Sequence, residues 1–441
     1  MMRVWTFWIC CLTLLAGCGR PGRPPGPPVP KTDEISAQKI IVDGESAKLK
    51  FGDGDWPMWR GPNADGVAAG PAVPTKWSET DNVVWKVKLP GRGHSSPIIV
   101  DNRIYMETAD ESQKVQSVIC LDRKTGRQLW QQTLFTENFE QQMHRENTQA
   151  SSTLACDGSR LYSLFLNDRK IWATALDLNG KQVWQTEVGS FAAKFGYSAS
   201  PTLYKSLVLL AADHQQGGFL AALNRTDGTI VWRKPRPEKS SYASPRVVTL
   251  DGKDQLVICG CKQVSSHDPL TGDKLWSTSG TAESGVGLPV TAGNLVIASG
   301  GWPERETIAL KPDGSVAWRS KSHAYVPSLL ALDGHVYLVN DGIARCFEAT
   351  SGKETWQKRI GGDFRTSPVA SGGNIIVTDM AGKTTVFRAN PNEFELVAEN
   401  QLGTEGFASP AISRGQLFLR VADAASGPRQ EWLYCIGKPV K

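Results

Sequence analysis

The stretch NVVWKVKL, residues 82–89, holds a Trp of the kind that ends a repeat, yet no repeat unit precedes it. Elsewhere a unit recurs that starts at Ser or Pro, continues through two short apolar runs and closes on apolar–Asp–x–x–Thr–Gly–x–x–x–Trp, as in CLDRKTGRQLW at residues 120–130. The last unit begins at Ser409-Pro410 and reaches Cys435 without the closing Thr–Gly–x–x–x–Trp pattern. If residues 82–89 supply its missing strand, the two ends meet and the repeats close into a ring.

The repeat period is roughly 38 to 55 residues, the range expected for four-stranded propeller blades. Eight units are found, with starts near residues 95, 151, 200, 244, 288, 327, 367 and 409. The endings that keep the aromatic residue are Trp85, Trp130, Trp184, Trp232, Trp276, Trp318 and Trp356. The seventh unit is degenerate, and we place Leu396 at its Trp position.

The apolar runs within a unit are short, rich in Val, Ile, Leu and Tyr, and bounded by Asp-Gly, Gly-Asn or Asp-Asn turns. This pattern is typical of antiparallel strands joined by tight turns, and no long stretch shows a helical period. We therefore predict an all-β fold: an eight-bladed β-propeller of four-stranded antiparallel blades over residues 82–438, closed by an N-terminal strand around Trp85. We expect each repeat Trp to pack between neighbouring blades, because the spacing matches the blade period.

The repeated ending resembles the tryptophan-docking motif of quinoprotein-type propellers. These are the eight-bladed domains of pyrroloquinoline quinone (PQQ) dehydrogenases and of non-catalytic relatives such as the BamB lipoprotein of outer-membrane protein assembly. The stretch DWPMWRGPN, residues 55–63, also resembles a lead-in common to PQQ-like repeat proteins of planctomycete-type bacteria. The resemblance implies the propeller fold, but the family holds both enzymes and scaffolds, so site residues must decide the function.

Residues 1–18 are predicted to be a lipoprotein signal peptide, with a short apolar core and the lipobox LAGC, whose Cys18 would be lipidated. An ordinary secretory signal is the alternative. Gly19 follows the cysteine, which favours the outer membrane, facing the periplasm, over the inner membrane in a double-membrane bacterium. Residues 19–54 are rich in Pro and Gly near their start and are predicted to be a tether. Residues 55–81 form a lead-in segment.

Six cysteines follow the lipobox: Cys120, Cys156, Cys259, Cys261, Cys346 and Cys435. An exported protein could pair them, but several occupy equivalent positions in their units, as small buried hydrophobic residues would. We expect free buried thiols. The formal net charge is +5 and the basic residues are scattered, which gives no indication of nucleic-acid binding.

No cofactor is predicted. The resemblance implies that PQQ enzymes carry an adjacent Cys-Cys pair against the cofactor and several oxygen ligands around Ca²⁺. The sequence has one adjacent pair, Cys10-Cys11, and it lies in the signal peptide. The six histidines show no metal-binding spacing, and no nucleophile elbow or P-loop is found. PQQ with calcium is expected only if the protein is a dehydrogenase with a non-standard site.

The longest connection between units, TLFTENFEQQMHREN at residues 133–147, is the best candidate contact site, because long loops on rigid scaffolds often carry function. Its candidate residues are Glu140, His144, Arg145 and Glu146. A solvated surface loop is the alternative. His94 lies at the start of an inner strand, where a structural hydrogen bond competes with a ligand role.

We expect a non-catalytic, exported lipoprotein that acts as a protein-interaction scaffold in the cell envelope, with a role in outer-membrane protein assembly implied by the resemblance. Envelope proteins would be its partners, held through loops or by pairing of an extended segment with a strand edge. The first alternative is the PQQ-dependent dehydrogenase. The second is a carbohydrate- or small-molecule-binding propeller, with Trp302 and Trp172 as sugar platforms. The sequence does not specify the oligomeric state.

Overall fold

A computed structural model describes residues 28–38, 48–141, 143–192, 194–425 and 427–439, and over these ranges the chain forms strands and no α-helix. The strands make eight four-stranded antiparallel sheets, so the predicted eight-bladed propeller is confirmed. The predicted signal peptide and the predicted lipidation site Cys18 lie outside the described residues. No helix that is both long and apolar enough to cross a membrane occurs in the described ranges.

Each blade runs from an inner strand near the axis to an outer strand at the rim. The first four blades consist of β2 (Ile98–Val100), β3 (Arg103–Asp110), β4 (Val115–Asp122) and β5 (Gln128–Thr136); β6 (Ala155–Cys156), β7 (Arg160–Asn167), β8 (Lys170–Asp177) and β9 (Gln182–Ser190); β10 (Thr202–Tyr204), β11 (Leu207–Ala212), β12 (Phe219–Asn224) and β13 (Ile230–Pro235); and β14 (Arg246–Leu250), β15 (Lys253–Gly260), β16 (Gln263–His267) and β17 (Lys274–Ser279).

The remaining blades consist of β18 (Val290–Ala292), β19 (Leu295–Gly300), β20 (Glu306–Leu310) and β21 (Val316–Ser320); β22 (Leu330–Leu332), β23 (His335–Asn340), β24 (Ile343–Glu348) and β25 (Glu354–Arg359); β26 (Val369–Ser371), β27 (Asn374–Thr378), β28 (Lys383–Arg388) and β29 (Leu396–Gln401); and β30 (Ala411–Ser413), β31 (Gln416–Asp423) and β32 (Gln430–Ile436), with β1 (Val83–Leu89) as the fourth strand.

Strand β1 pairs antiparallel with β32, with Trp85 opposite Cys435 and Lys86 opposite Tyr434. The last blade therefore takes its outer strand from the start of the propeller sequence. The predicted closure by the strand around Trp85 is confirmed, and it joins the two ends of the ring by main-chain hydrogen bonds.

The repeat tryptophans lie on the outer strands and reach into the next blade. Each indole Nε1 donates to a carbonyl in the turn that follows the third strand of that blade; Trp85 bonds Arg123 O at 3.0 Å and Trp318 bonds Ala349 O at 2.8 Å. A Cβ added to the turn glycine would lie 2.5–2.9 Å from the ring, at Gly126, Gly180, Gly228, Gly272, Gly314 and Gly352. At these six turns the missing Cβ makes room for the indole, whereas Trp356 bonds Asn390 O in a turn that has no glycine.

The placement of Leu396 at the seventh Trp position was wrong. In the other blades the outer-strand Trp lies opposite the third-strand residue that comes just before a β-bulge. In the third blade, for example, Trp232 lies opposite Ala222, and beyond the bulge Ile230 lies opposite Leu223. In the seventh blade Val386 pairs with Ala398, and Leu396 occupies the position after the bulge. The turn before β29 is longer than in the other blades, so counting from the repeat ending misses the register by two residues. Ala398 is buried and Leu396 is exposed.

Two N-terminal segments lie against the disc. Residues 28–38 run along the outer edge of the third blade, where Ile35 pairs with Arg233 of β13 and the Gln38 amide donates to Val231 O at 2.9 Å. Residues 48–54 also contact the propeller, because the Lys50 amide donates a hydrogen bond to Asp157 O at 2.8 Å. The described parts of the predicted tether are therefore bound to the propeller.

The lead-in crosses the axis of the ring. It makes hydrogen bonds on or next to the inner strands of five blades, through the pairs Trp56–Ile99, Pro57–Cys156, Asn63–Arg246, Arg60–Leu329 and Arg60–Pro368. Contact with blades on all sides means that this segment spans the central channel. Trp59, near the start of the lead-in, lines the cavity that remains.

Candidate binding site at the propeller axis

A cavity of about 410 Å³ lies on the axis, with Trp59 of the lead-in among its lining residues. Its wall is a ring of side chains, one from each blade, which we call the axial ring: His94, Ser151, Ser198, Tyr242, Val286, Val326, Arg365 and Phe407. These positions recur at the repeat period, each two residues before the Ser-Pro start or its equivalent. Because alternate residues of an extended chain share a face, the repeat itself directs them to the axis.

The starts of the repeats form a second ring, which we call the hydroxyl belt. In six places the backbone N–H of one start donates to the side-chain hydroxyl of the next: Ser96 to Thr153, Thr153 to Ser200, Ser200 to Ser244, Leu288 to Ser328, Ser328 to Ser367 and Ser367 to Ser409, at 2.8–3.0 Å. Buried backbone donors need such partners. The small polar residue that opens most of the repeats is thereby explained as a link between blades.

Aromatic side chains surround the cavity. Phe407 stacks on His94 with ring centroids 4.4 Å apart, and Phe195 approaches Tyr242 at 6.1 Å. At the mouth, Trp302 is 53% exposed and Tyr325 is 37% exposed. The Arg365 guanidinium lies over the Tyr325 ring, 5.6 Å from the ring centroid. The site therefore offers several aromatic faces within one enclosure.

The charged groups at the mouth neutralise one another. Arg365 bonds Glu146 at 3.0 Å and Asp363 at 2.6 Å. Burial opposes the charge of Arg365, but the two carboxylates raise its pKa on balance. Burial, together with Arg92, Arg420 and Arg429, lowers the pKa of His94 well below its usual value, so this imidazole is neutral at pH 7. The cavity wall thus carries little net charge.

The predicted contact loop divides between the cavity and its surroundings. His144 and Glu146 line the cavity, and the first of these packs edge-on against Phe195 at 5.5 Å. The Arg145 side chain is 88% exposed and does not line the cavity, although its guanidinium lies 3.8 Å from a carboxylate oxygen of Glu146. Glu140 lies earlier in the loop, where its backbone carbonyl accepts a hydrogen bond from the Gln149 side chain. The structure thus brings two of the four candidate residues to one site.

The proposed sugar platforms separate in the same way. Trp302 lies at the cavity mouth. Trp172 lies on the second blade, where it packs against Phe135 of the first blade and its indole N–H donates to Asn167 O. Four other residues of the cavity were not predicted from the sequence: Tyr242, Tyr325, Arg365 and Phe407. The two-residue offset from each repeat start would have found all of these except Tyr325, which lies on a loop outside the ring positions.

The cavity does not match the PQQ and calcium site that the resemblance describes. Over the described ranges no three His, Cys, Asp or Glu side chains converge in a way that could hold a metal ion. Glu146, the carboxylate that lines the cavity, is already paired with Arg365. The six described cysteines are free and buried, and burial raises the pKa of Cys259 and of Cys435 to about 12, which keeps these two thiols protonated.

Three overlapping segments of the chain, residues 67–133, 114–301 and 260–388, match the family model described as outer membrane protein assembly factor BamB. The protein of that name from Yersinia pestis is 24% identical over 326 residues, which cover 69% of this chain and 77% of that one. Tetrathionate hydrolase from Acidithiobacillus ferrooxidans is 22% identical over 353 residues, or 68% and 66% of the two chains. Among solved structures, a europium-containing methanol dehydrogenase shares the fold at a TM-score of 0.67 and 11% identity, over 88% of this chain and 99% of that one.

Proposed function

Because the chain belongs to the family described as outer membrane protein assembly factor BamB, we propose that it is an exported, non-catalytic scaffold that binds envelope proteins during outer-membrane protein assembly. The family match over most of the propeller is the observation that carries this proposal. Lipidation at Cys18 would anchor the disc to the outer membrane on its periplasmic side. The lipobox supports this part of the proposal.

The rim of the disc supports binding by strand addition. The third blade already holds an extended segment on its outer edge, residues 28–38, through main-chain hydrogen bonds to Val231 and Arg233. Val231 is consequently 1% exposed, whereas the equivalent Leu275 of the fourth blade is 52% exposed. Unpaired outer strands with an exposed apolar side chain offer the groups that an extended partner segment needs.

The process is tested by deleting the gene in its host and measuring the outer-membrane protein content. We expect the amounts of outer-membrane β-barrel proteins to fall, and the wild-type gene to restore them. A Cys18→Ser variant should move from the membrane fraction to the soluble fraction. Unchanged outer-membrane composition in the deletion strain would contradict the assembly role, and a Cys18→Ser protein that stays with the membrane would contradict the lipid anchor.

The binding mode is tested by placing a photo-crosslinking amino acid at Leu275 and, as the matched control, at Val231, in the full chain in living cells. Both positions precede the docking Trp of their blade, but the second lies beneath residues 28–38. We expect a crosslink to another envelope protein from position 275 and none from position 231. Equal crosslinking at both positions, or none at either, would refute strand addition at this edge.

A further inference from the structure

We infer that the axial cavity is a binding site for a neutral, hydroxyl-rich ring compound, of the size of a mono- or disaccharide. This goes beyond the scaffold function, because the cavity lies at the axis and the proposed strand addition takes place at the rim. The inference rests on the size of the cavity, its uncommitted hydroxyl groups, its aromatic faces and its balanced charge.

The cavity has the size and enclosure of a small-molecule site. Its volume of about 410 Å³ falls within the roughly 300–1,000 Å³ typical of ligand pockets. Residues 56–66 lie across the channel, and Trp59 contributes its side chain to the wall. A propeller channel that is blocked in this way becomes a pocket. An enclosed pocket can surround a small ring on most of its sides.

The hydroxyl belt has hydrogen atoms left to donate. Thr153, Ser200, Ser244, Ser367 and Ser409 line the cavity, and each side-chain oxygen accepts a backbone N–H from the neighbouring blade. None of these five hydroxyls donates to another residue of the described ranges. A hydroxyl both donates and accepts, so each can give its hydrogen to a ligand oxygen without breaking the links between blades.

His94 adds a polar atom that has no partner. Its Nε2 is buried and makes no hydrogen bond within the described chain, although the ring faces the cavity and stacks on Phe407. A buried polar atom without a partner costs free energy. A neutral imidazole can exchange a hydrogen bond with a ligand hydroxyl, and such a bond would remove that cost.

The aromatic faces and the charge balance specify a neutral ring. Trp302 and Tyr325 present exposed ring faces at the mouth, and the apolar face of a sugar ring can pack against such surfaces. A cationic ligand would meet Arg365, and an anionic ligand would meet Glu146, and these two groups are already paired. The polar groups that remain are hydroxyls and a neutral imidazole, which match the hydroxyls of an uncharged sugar.

The inference is tested by titrating the purified full chain, in detergent, with glucose, galactose, N-acetylglucosamine and maltose, followed by ligand-observed NMR. We expect saturable binding of at least one sugar with a Kd of about 10 mM or tighter. Trp302→Ala should weaken that binding by about tenfold or more, because the loss of one aromatic anchor typically has an effect of this order.

A second pair of variants locates the site. Val286→Trp would fill the cavity from the axial ring and should abolish binding, whereas the matched Val316→Trp, on the outer strand of the fifth blade, should leave binding unchanged. No saturable binding of any of the four sugars at about 20 mM, or binding that survives both Val286→Trp and Trp302→Ala, would overturn the inference. Neither outcome affects the crosslinking test of the scaffold function, so the two proposals fail separately.

Discussion

At the scale of single residues, the ring depends on a contact between two residues that are distant in the chain. On six of the eight outer strands a Trp stacks on a glycine in the turn of the next blade and donates its indole N–H to a carbonyl beside that glycine. The glycine serves two purposes: it adopts a positive φ, and it leaves room for the indole. These purposes can be separated by mutation, because the chain has turn glycines without a neighbouring Trp.

Gly272 and Gly334 form such a pair. Their φ values are +74° and +76°, but a Cβ at the first would lie 2.5 Å from Trp232, whereas a Cβ at the second would meet nothing within 4 Å. We expect Gly334→Ala to cost about 1 kcal/mol for the backbone conformation alone, and Gly272→Ala to cost about 3 kcal/mol because the indole is also displaced. Urea unfolding of both variants checks this. Equal losses would show that the docking contact contributes little.

Glu107 gives the protein a pH-dependent stability. Burial raises the pKa of this carboxyl from 4.5 to about 8, and hydrogen bonds from Ser163 and from the backbone of Leu164 only partly offset that effect. Between these values the folded state holds a proton that the unfolded state releases, so stability falls as pH rises from about 4.5 to about 8.

The variant Glu107→Gln keeps an oxygen to accept the Ser163 hydrogen bond and has no charge to bury. We expect it to be more stable than the wild type at pH 8.5, by on the order of 2 kcal/mol, with a smaller difference at pH 5. Thermal unfolding at the two pH values measures this. Glu393→Gln, at an exposed position, is the control and should show no such difference. A Glu107→Gln variant that is less stable at pH 8.5 would contradict the argument.

At the scale of elements, the segment of residues 28–38 behaves as an added edge strand. The amide of Ile35 donates to Arg233 O, and the amide of Arg233 donates to Ile35 O, both at 2.9 Å. Few other contacts of the segment are buried, so it should detach more readily than a core strand does. The strand beneath it, β13, would then resemble the uncovered outer strands of the other blades.

Replacing Ile35 with proline removes one of these donors, whereas proline at the exposed Ser36 removes no backbone hydrogen bond seen in the structure. We expect Ile35→Pro to speed amide hydrogen exchange at Arg233, by about tenfold or more, with a loss of no more than about 1 kcal/mol in global stability. Ser36→Pro should leave that amide protected. Unchanged exchange in Ile35→Pro would mean that other contacts hold the segment.

At the scale of the whole molecule, stability depends on closure of the ring. Strand β1 supplies the outer strand of the last blade, so its removal leaves β32 as an unpaired edge and separates that blade from Gly126 of the first. An exposed edge of this kind favours aggregation. The lead-in contributes differently, because it crosses the axis without completing a blade.

Two truncations separate these contributions. A chain that begins at residue 48 keeps the lead-in and β1, and we expect it to be soluble, monodisperse and cooperatively folded. A chain that begins at residue 91 lacks both, and we expect it to aggregate or to unfold at a temperature lower by about 10 °C or more. Size-exclusion chromatography and thermal unfolding distinguish these results. A stable, monodisperse protein starting at residue 91 would show that closure is dispensable.

The sequence by itself determined the ring, the number of blades and the strand that closes it. Each blade repeats the same local pattern of turns, alternating strands and a docking Trp, so the information lies within single units. The same pattern contains the eight axial-ring positions, but of these only His94 was considered for a ligand role from the sequence. It failed in the seventh blade, because a longer turn there moved Ala398, and not Leu396, into register.

Only the tertiary structure decided that the channel is a pocket. Arg60 in the lead-in bonds Leu329 and Pro368, which are hundreds of residues away, and no local pattern specifies such contacts. The pairing of Glu146 with Arg365 across the mouth is of the same kind. A repeat determines how each blade folds, because its interactions are local or made with the adjacent blade. The occupants of the axis are set by which distant segments fit the space that the eight blades leave.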